Sequence, residues 1–216
     1  KKISENYNIK ELDIDENNSY ILNHDWDGNV RELRNLIERV AILQPNTKEK
    51  ISSIIKESLK FDDIKEKTEE NNLSIPLKEK LSPNSKGLDF GCGHGPALAD
   101  MLSADGFDVD LYDPFFFPNT NVFSKQYDFI TASETVEHFF DPYKEFDTLN
   151  NLLAPKGWLA IMTSFLTAED AFDDWHYRRD PTHVVFFSET TFEVVASQRN
   201  WACEIPKKDI VLMHKA

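Results

Sequence analysis

The stretch "GLDFGCGHGPALADML", residues 87–102, limits the fold of this chain more than any other. A short apolar run carries Asp89 and Phe90 at its end, and Gly91, Gly93 and Gly95 then alternate with Cys92 and His94 before a second apolar run begins. The pattern predicts a strand, a tight turn and a helix. With every second turn residue lacking a side chain, backbone N–H groups and the helix N-terminus can approach a ligand closely. The chain beyond repeats the alternation. "FDVDLYD" (107–113), "YDFITAS" (127–133) and "WLAIMTS" (158–164) read as strands. "PALADMLSADG" (96–106) reads as a helix, as does "ETVEHFFDPYKEFDTLNNLLAPKG", which ends in a Pro-Lys-Gly turn. Strands alternating with helices at these lengths predict an α/β fold, a mostly parallel sheet with helices on both faces. Ligands of such sheets lie at the carboxyl ends of the strands. Asp89, Asp113, Ser133 and Glu134 fall there.

The part before residue 81 has another style. "NVRELRNLIERVAIL" sets Val30, Leu33, Leu36, Ile37, Val40 and Leu43 or Ala41 on one helical stripe, and "KEKISSIIKESL" adds a second amphipathic piece. "KFDDIKEKTEENNLS" is charged and aperiodic, the composition of a linker. The expected organisation is a small all-helical segment over 1–60, a linker over 61–81 and the α/β domain over 82–216. The first residue is not Met, so the chain reads as a fragment, and its polar start does not resemble a signal peptide. No apolar run approaches a membrane span. Two cysteines, Cys92 and Cys203, suit reduced thiols in a cytoplasm. The net charge of −14 lies mostly beyond residue 80 and argues against broad nucleic-acid binding there.

Charge also separates two candidate ligands of the glycine turn. A dinucleotide site wants G-x-G-x-x-G, whereas this turn is D-x-G-x-G-x-G. A carboxylate two residues before the first glycine repels a pyrophosphate and suits a cationic ligand, such as a sulfonium carrying an amino-acid group. Asp113, roughly 20 residues past the glycines, has the reach for a ribose diol in either fold. S-adenosylmethionine is therefore the expected cofactor.

On these motifs, residues 87–216 resemble class I S-adenosylmethionine-dependent methyltransferases, a Rossmann-like family. "LDFGCGHG" is similar to the family's first motif, "DLYDP" to its ribose-binding acid, "YDFITASETVEHFFDP" to the stretch after its fourth strand, and "LLAPKGWLAIMT" to its fifth strand, with Lys156 where a glycine is usual. The resemblance implies that Asp89, Gly91, Cys92, Gly93 and Gly95 hold the methionine end of the cofactor, Asp113 its ribose, and Ser133 and Glu134 its methyl-facing edge. One departure stands out. "PFFFPNTNVFSKQ" replaces the family's helix, third strand and adenine-binding acid, so either Phe stacking with backbone or Asn119–Asn121 must serve the adenine. Residues 24–43, "HDWDGNVRELRNLIERVAIL", resemble instead the helical lid of AAA+ ATPases that activate sigma-54-dependent transcription, with Asp27 in place of the usual Pro. There the residue matching Arg31 senses nucleotide phosphates. No "GxxxxGK[ST]" loop is present, so no hydrolysis is expected and Arg31 reads as a surface residue. The rival to an enzyme is a regulator of that class whose second domain binds a ligand without turnover.

The acceptor side is expected in "DDWHYRRDPTHVVFFSETTF", residues 173–192. His176, Tyr177 and Arg178 are candidate acceptor-binding residues, and His138 and His183 candidate bases for an acceptor hydroxyl. The two arginines suggest a small-molecule acceptor bearing a carboxylate or phosphate. Equally, they can pair with Asp173, Asp174 or Asp180 and brace the loop. Histidines near carboxylates also suit a metal, but no compact spacing such as H-x-x-x-H is present and no metal site is assigned. Ser188 is expected to cap a helix that sends Phe192 into the core.

Overall fold

The computed structural model describes residues 14–15, 17–23, 33, 36–37, 40, 47–167, 172–173 and 175–216, the side chains of 60–69 and of His176 excepted. The lid-like residues 24–32, Arg31 among them, lie outside the described residues. Two compact units divide the chain between Thr68 and Glu69.

In the first unit, helix α1 (Ser19–Leu22) is capped by Asn18, whose side-chain oxygen accepts from the N–H groups of Tyr20 and Ile21. Leu36 and Val40 of the predicted stripe are buried with Ile51, Ile55 and Leu59 of helix α2 (Lys48–Lys78).

The second unit is a six-stranded sheet: β1 (Lys86–Phe90), β2 (Asp108–Tyr112), β3 (Tyr127–Ser133), β4 (Leu153–Met162), β5 (Trp201–Lys207) and β6 (Ile210–Lys215). Their order is β2-β1-β3-β4-β6-β5, and β6 alone points opposite to the other five strands. Pleat alternation sends β4 residues Leu159 and Ile161 to one face and Ala160 and Met162 to the other. The first face packs on Phe146, Leu149 and Leu152 of helix α4 (Pro142–Leu152) and on Phe192 and Ala196 of helix α5 (Glu189–Ser197). The second packs on Leu98 and Leu102 of helix α3 (Ala97–Ala104) and on Leu73 and Leu77 of α2.

That last contact differs from the linker reading of 61–81. The stretch is helical to Lys78, because Leu73 and Leu77, one turn apart, are fully buried against the sheet. Charge dominates the composition of the stretch and hides these two apolar residues. Lys78 and Lys80 add ion pairs to Asp105 and Glu204, both 2.6 Å.

Helix α4 starts later than the pattern after β3 suggests. Asp141 caps it, and residues 136–138 form a separate 3-10 turn. Lys156 takes a φ of +64°, the backbone conformation that suits the glycine usual there. Ser188 and Thr191 form a capping box on α5, and Phe192 is fully buried, as expected. Between Asp113 and Tyr127 the chain makes a bridge from Asp113 to Phe117 and a 3-10 helix, Thr120–Ser124, leaving β2 at the sheet edge.

Candidate functional site

The glycine turn is fixed to the end of β2. The N–H groups of Gly91 and Cys92 both donate to the Tyr112 carbonyl, at 2.7 and 3.2 Å. Gly91 and Gly93 have φ of +78° and +64°. A Cβ on Gly91 would lie 2.3 Å from Thr135 Cγ2, whereas one on Gly93 would meet nothing within 4 Å. Gly91 is therefore closed in by protein, and Gly93 faces open space. The Gly95 carbonyl accepts from Ala97 N–H at 2.8 Å as α3 begins.

Two carboxylates flank the turn. Asp89, 3 % exposed, accepts from Thr131 Oγ1 at 2.7 Å, its register partner on β3. Burial pushes its carboxyl up to about 6, against the Thr131 hydrogen bond. Asp113 accepts from the N–H groups of Phe115 (2.8 Å) and Phe116 (2.9 Å) on Oδ1 and of Gly93 (3.2 Å) on Oδ2. Burial, with Asp89 and Asp113 nearby, pushes the Cys92 thiol up to about 12. It stays neutral at pH 7 and is no nucleophile. The ring of His94 meets Phe116 edge-on at 5.3 Å, so the exposed phenylalanines after Asp113 border the turn.

A second group gathers beyond β3. Ser133 ends the strand half-buried, and Glu134 turns the chain at a φ of +46°, its N–H on the Met162 carbonyl at 2.8 Å. Glu137 is completely buried: Thr163 Oγ1 donates to its Oε2 (3.0 Å) and the Tyr177 hydroxyl to its Oε1 (2.6 Å). The same hydroxyl lies 3.1 Å from Glu134 Oε2. Burial first, then the charges of Glu134 and Glu137, holds the Tyr177 phenol well above its ordinary range. His138 Nδ1 is 2.9 Å from the Thr182 carbonyl and His183 Nδ1 is 2.8 Å from the Tyr177 carbonyl. The two rings meet edge to face at 5.0 Å. Thr135 ties the groups together, donating to the Ser133 carbonyl at 2.8 Å and lying 3.2 Å from that of Gly91.

Of the expected acceptor residues, Tyr177 and His183 join His138 in this cluster. Arg178 does not: its guanidinium donates to the Asp173 carbonyl at 2.7 and 3.1 Å and lies over the Phe172 ring. The His176 side chain lies outside the described residues. Sequence reasoning missed Glu137, Thr131, Thr135 and Thr163. Glu137 had a signal, its spacing from Glu134 being that of two carboxylates on one side of a helical turn.

The model of a methyltransferase domain matches residues 24–204. The chain belongs to that family. Methyl transfer to a small-molecule acceptor is thus the activity of this methyltransferase, and S-adenosylmethionine its cofactor. Among solved structures, an S-adenosylmethionine-dependent methyltransferase from Archaeoglobus fulgidus is similar at a TM-score of 0.51, with 14 % identity over 67 % of this chain and 91 % of that one. A Methanosarcina mazei protein of the same description gives 0.48, with 15 % identity over 64 % and 96 %. A putative methyltransferase from Bacillus halodurans gives 0.47, with 16 % identity over 64 % and 71 %. The first likeness, at 14 % identity, speaks to the fold. No described helix is long and apolar enough to cross a membrane.

Proposed function

We propose that this methyltransferase holds its cofactor at the ends of β1 and β2 and an oxygen acceptor beside the His138–His183 pair. The observation that carries the reading is Asp89, a buried carboxylate beside a glycine turn whose Gly93 faces open space. A buried anion of this kind calls for a cationic partner. S-adenosylmethionine supplies a methyl group on a cationic sulfonium when bound, and its ammonium provides that partner.

The chain's own residues do the rest. Gly91, Cys92, Gly93 and Gly95 bring backbone against the methionine end, Asp113 takes the ribose, and Ser133 and Glu134 line the methyl-facing edge. Phe115 and Phe116, exposed beside the turn, offer the adenine an apolar platform. The carbonyls on His138 Nδ1 and His183 Nδ1 can only accept, so each ring keeps its proton there. Both Nε2 atoms then present lone pairs through which an acceptor hydroxyl is activated. Tyr177 orders Glu134 and Glu137, and Arg178 braces the acceptor loop through Asp173. Arg179 favours an acceptor carrying an anionic group. The catalytic unit in this reading begins at the Leu73–Leu77 turn of α2. The family match also spans residues 24–43, so the lid resemblance gains no support there.

Calorimetric titration of the full chain is the test. S-adenosylmethionine should bind once per chain, and ATP and NAD should not; binding of either nucleotide in its place would overturn the reading.

Asp89 also sets a pH dependence. Its folded carboxyl titrates at about 6 against an ordinary 3.8, so the folded state holds a proton that the unfolded state has lost. Stability should fall as pH rises from about 4 through 6, by up to about 3 kcal/mol. Cofactor affinity should change the other way, weakening up to about tenfold per pH unit below 6 as the carboxylate is neutralised. Asp89→Asn should abolish both slopes. A wild-type slope in the variant would assign the titration to another group.

A further inference from the structure

The methyl-transfer reading gives His138 and His183 a task but leaves the buried Glu137 beside them without one. One ligand atom from each of Glu137, His138 and His183 lies within 4.8 Å of the others. We propose that these three side chains form a binding site for one divalent transition-metal ion of the zinc, cobalt or iron class.

Three observations support it. The first is the state of the imidazoles. A backbone carbonyl on each Nδ1 fixes the tautomer with the lone pair on Nε2, the arrangement found when a metal-ligating histidine donates its other N–H to a carbonyl. The second is charge. Glu137 is wholly buried, and among the described residues its one ion-pair neighbour is the His138 imidazole, as far off as 3.9 Å. A divalent ion would bring positive charge into direct contact with the carboxylate. The third is the proton count. The Tyr177 hydroxyl has one proton yet stands 2.6 Å from Glu137 and 3.1 Å from Glu134. It can donate to one carboxylate only. The two carboxylates repel each other across this hydroxyl, and a cation beside Glu137 would offset that repulsion.

Two imidazoles and one carboxylate favour zinc, cobalt or iron over magnesium or calcium, which prefer all-oxygen shells. Bond lengths near 2 Å require the ligand atoms to close in by small side-chain rotations. Three protein ligands leave coordination positions open; with the Nε2 lone pairs on the ion, the ion rather than an imidazole would activate an acceptor hydroxyl bound there, which would lose its proton to solvent more readily. That role rests on the methyl-transfer reading; metal binding itself does not.

The test uses metal-stripped full-length protein titrated with Co²⁺ and followed by visible d–d absorption, with Zn²⁺ and Mg²⁺ as competitors. One Co²⁺ per chain should bind, Zn²⁺ should displace it, and Mg²⁺ should not. His138→Ala and His183→Ala should each weaken Co²⁺ binding at least about 100-fold, more than the loss of a supporting residue costs. Circular dichroism should show both variants folded. The half-exposed His138 variant keeps the test open if Glu137→Gln fails to fold. Absence of binding to folded protein, or Co²⁺ affinity unchanged in both histidine variants, would overturn the proposal. S-adenosylmethionine added to the same samples separates the two readings. Cofactor binding without Co²⁺ overturns only the metal site, and Co²⁺ binding without cofactor supports the site while overturning the methyl-transfer reading.

Discussion

Gly91→Ala should destabilise the methyltransferase by roughly 2–5 kcal/mol and abolish measurable cofactor binding. Two causes add. The φ of +78° is unfavourable for a residue with a Cβ, and that Cβ would lie 2.3 Å from Thr135 Cγ2 and 2.5 Å from its Oγ1. To escape, the turn must shift off the Tyr112 carbonyl that holds Gly91 and Cys92, and the backbone facing the methionine end moves with it. Denaturant unfolding and calorimetry measure the two effects. Thr135→Ala in the same chain should recover part of the stability by removing the obstructing atoms while leaving the φ penalty. Gly93→Ala is the complementary control: with nothing within 4 Å it carries the φ cost alone, yet its Cβ projects into the ligand's space. It should cost less stability than Gly91→Ala and still weaken the cofactor. Wild-type stability and affinity in Gly91→Ala would mean that the turn is not built as described.

The contrast between these glycines also shows where the sequence was legible. Their alternation announced a backbone-lined turn, and the acid before them pointed to a cation. The turn's logic is local, and the structure keeps the turn. The strands were legible because short apolar runs such as "WLAIMT", buried on both faces of the sheet, stand out between turn residues. What remained hidden depends on partners distant in the chain. Leu73 and Leu77 are two apolar residues in a charged stretch, and only the sheet face they cover explains them. Thr131 reads as an ordinary strand residue until parallel register sets it beside Asp89. Glu137 meets His183 only because the loop after β4 folds back on the turn after β3, its Val184 N–H donating to the Glu137 carbonyl at 2.9 Å. Arg178 was ambiguous for the same reason: density of charge could not show that Asp173 would take its donors.

Asp113→Ala should lower cofactor affinity about 100-fold or more, since two charge-assisted hydrogen bonds to a ribose diol contribute roughly 1.5–3 kcal/mol each. From the sequence this acid reads as a pure ligand group whose removal leaves folding intact. The structure gives it a second task, accepting the N–H groups of Gly93, Phe115 and Phe116. Alanine leaves those three donors without their partner, so a stability loss of roughly 1–3 kcal/mol should accompany the loss of affinity. Asp113→Asn separates the tasks. Its carbonyl oxygen can keep the bonds to Phe115 and Phe116, while its amide would face the Gly93 N–H donor to donor. Asparagine should therefore recover most of the stability lost in alanine and little of the affinity, because a neutral amide cannot accept from two hydroxyls as a carboxylate does. Denaturant midpoints and calorimetric titration on the two variants decide it. If both lose stability and keep wild-type affinity, Asp113 is a brace for the glycine turn and the ribose must be held elsewhere.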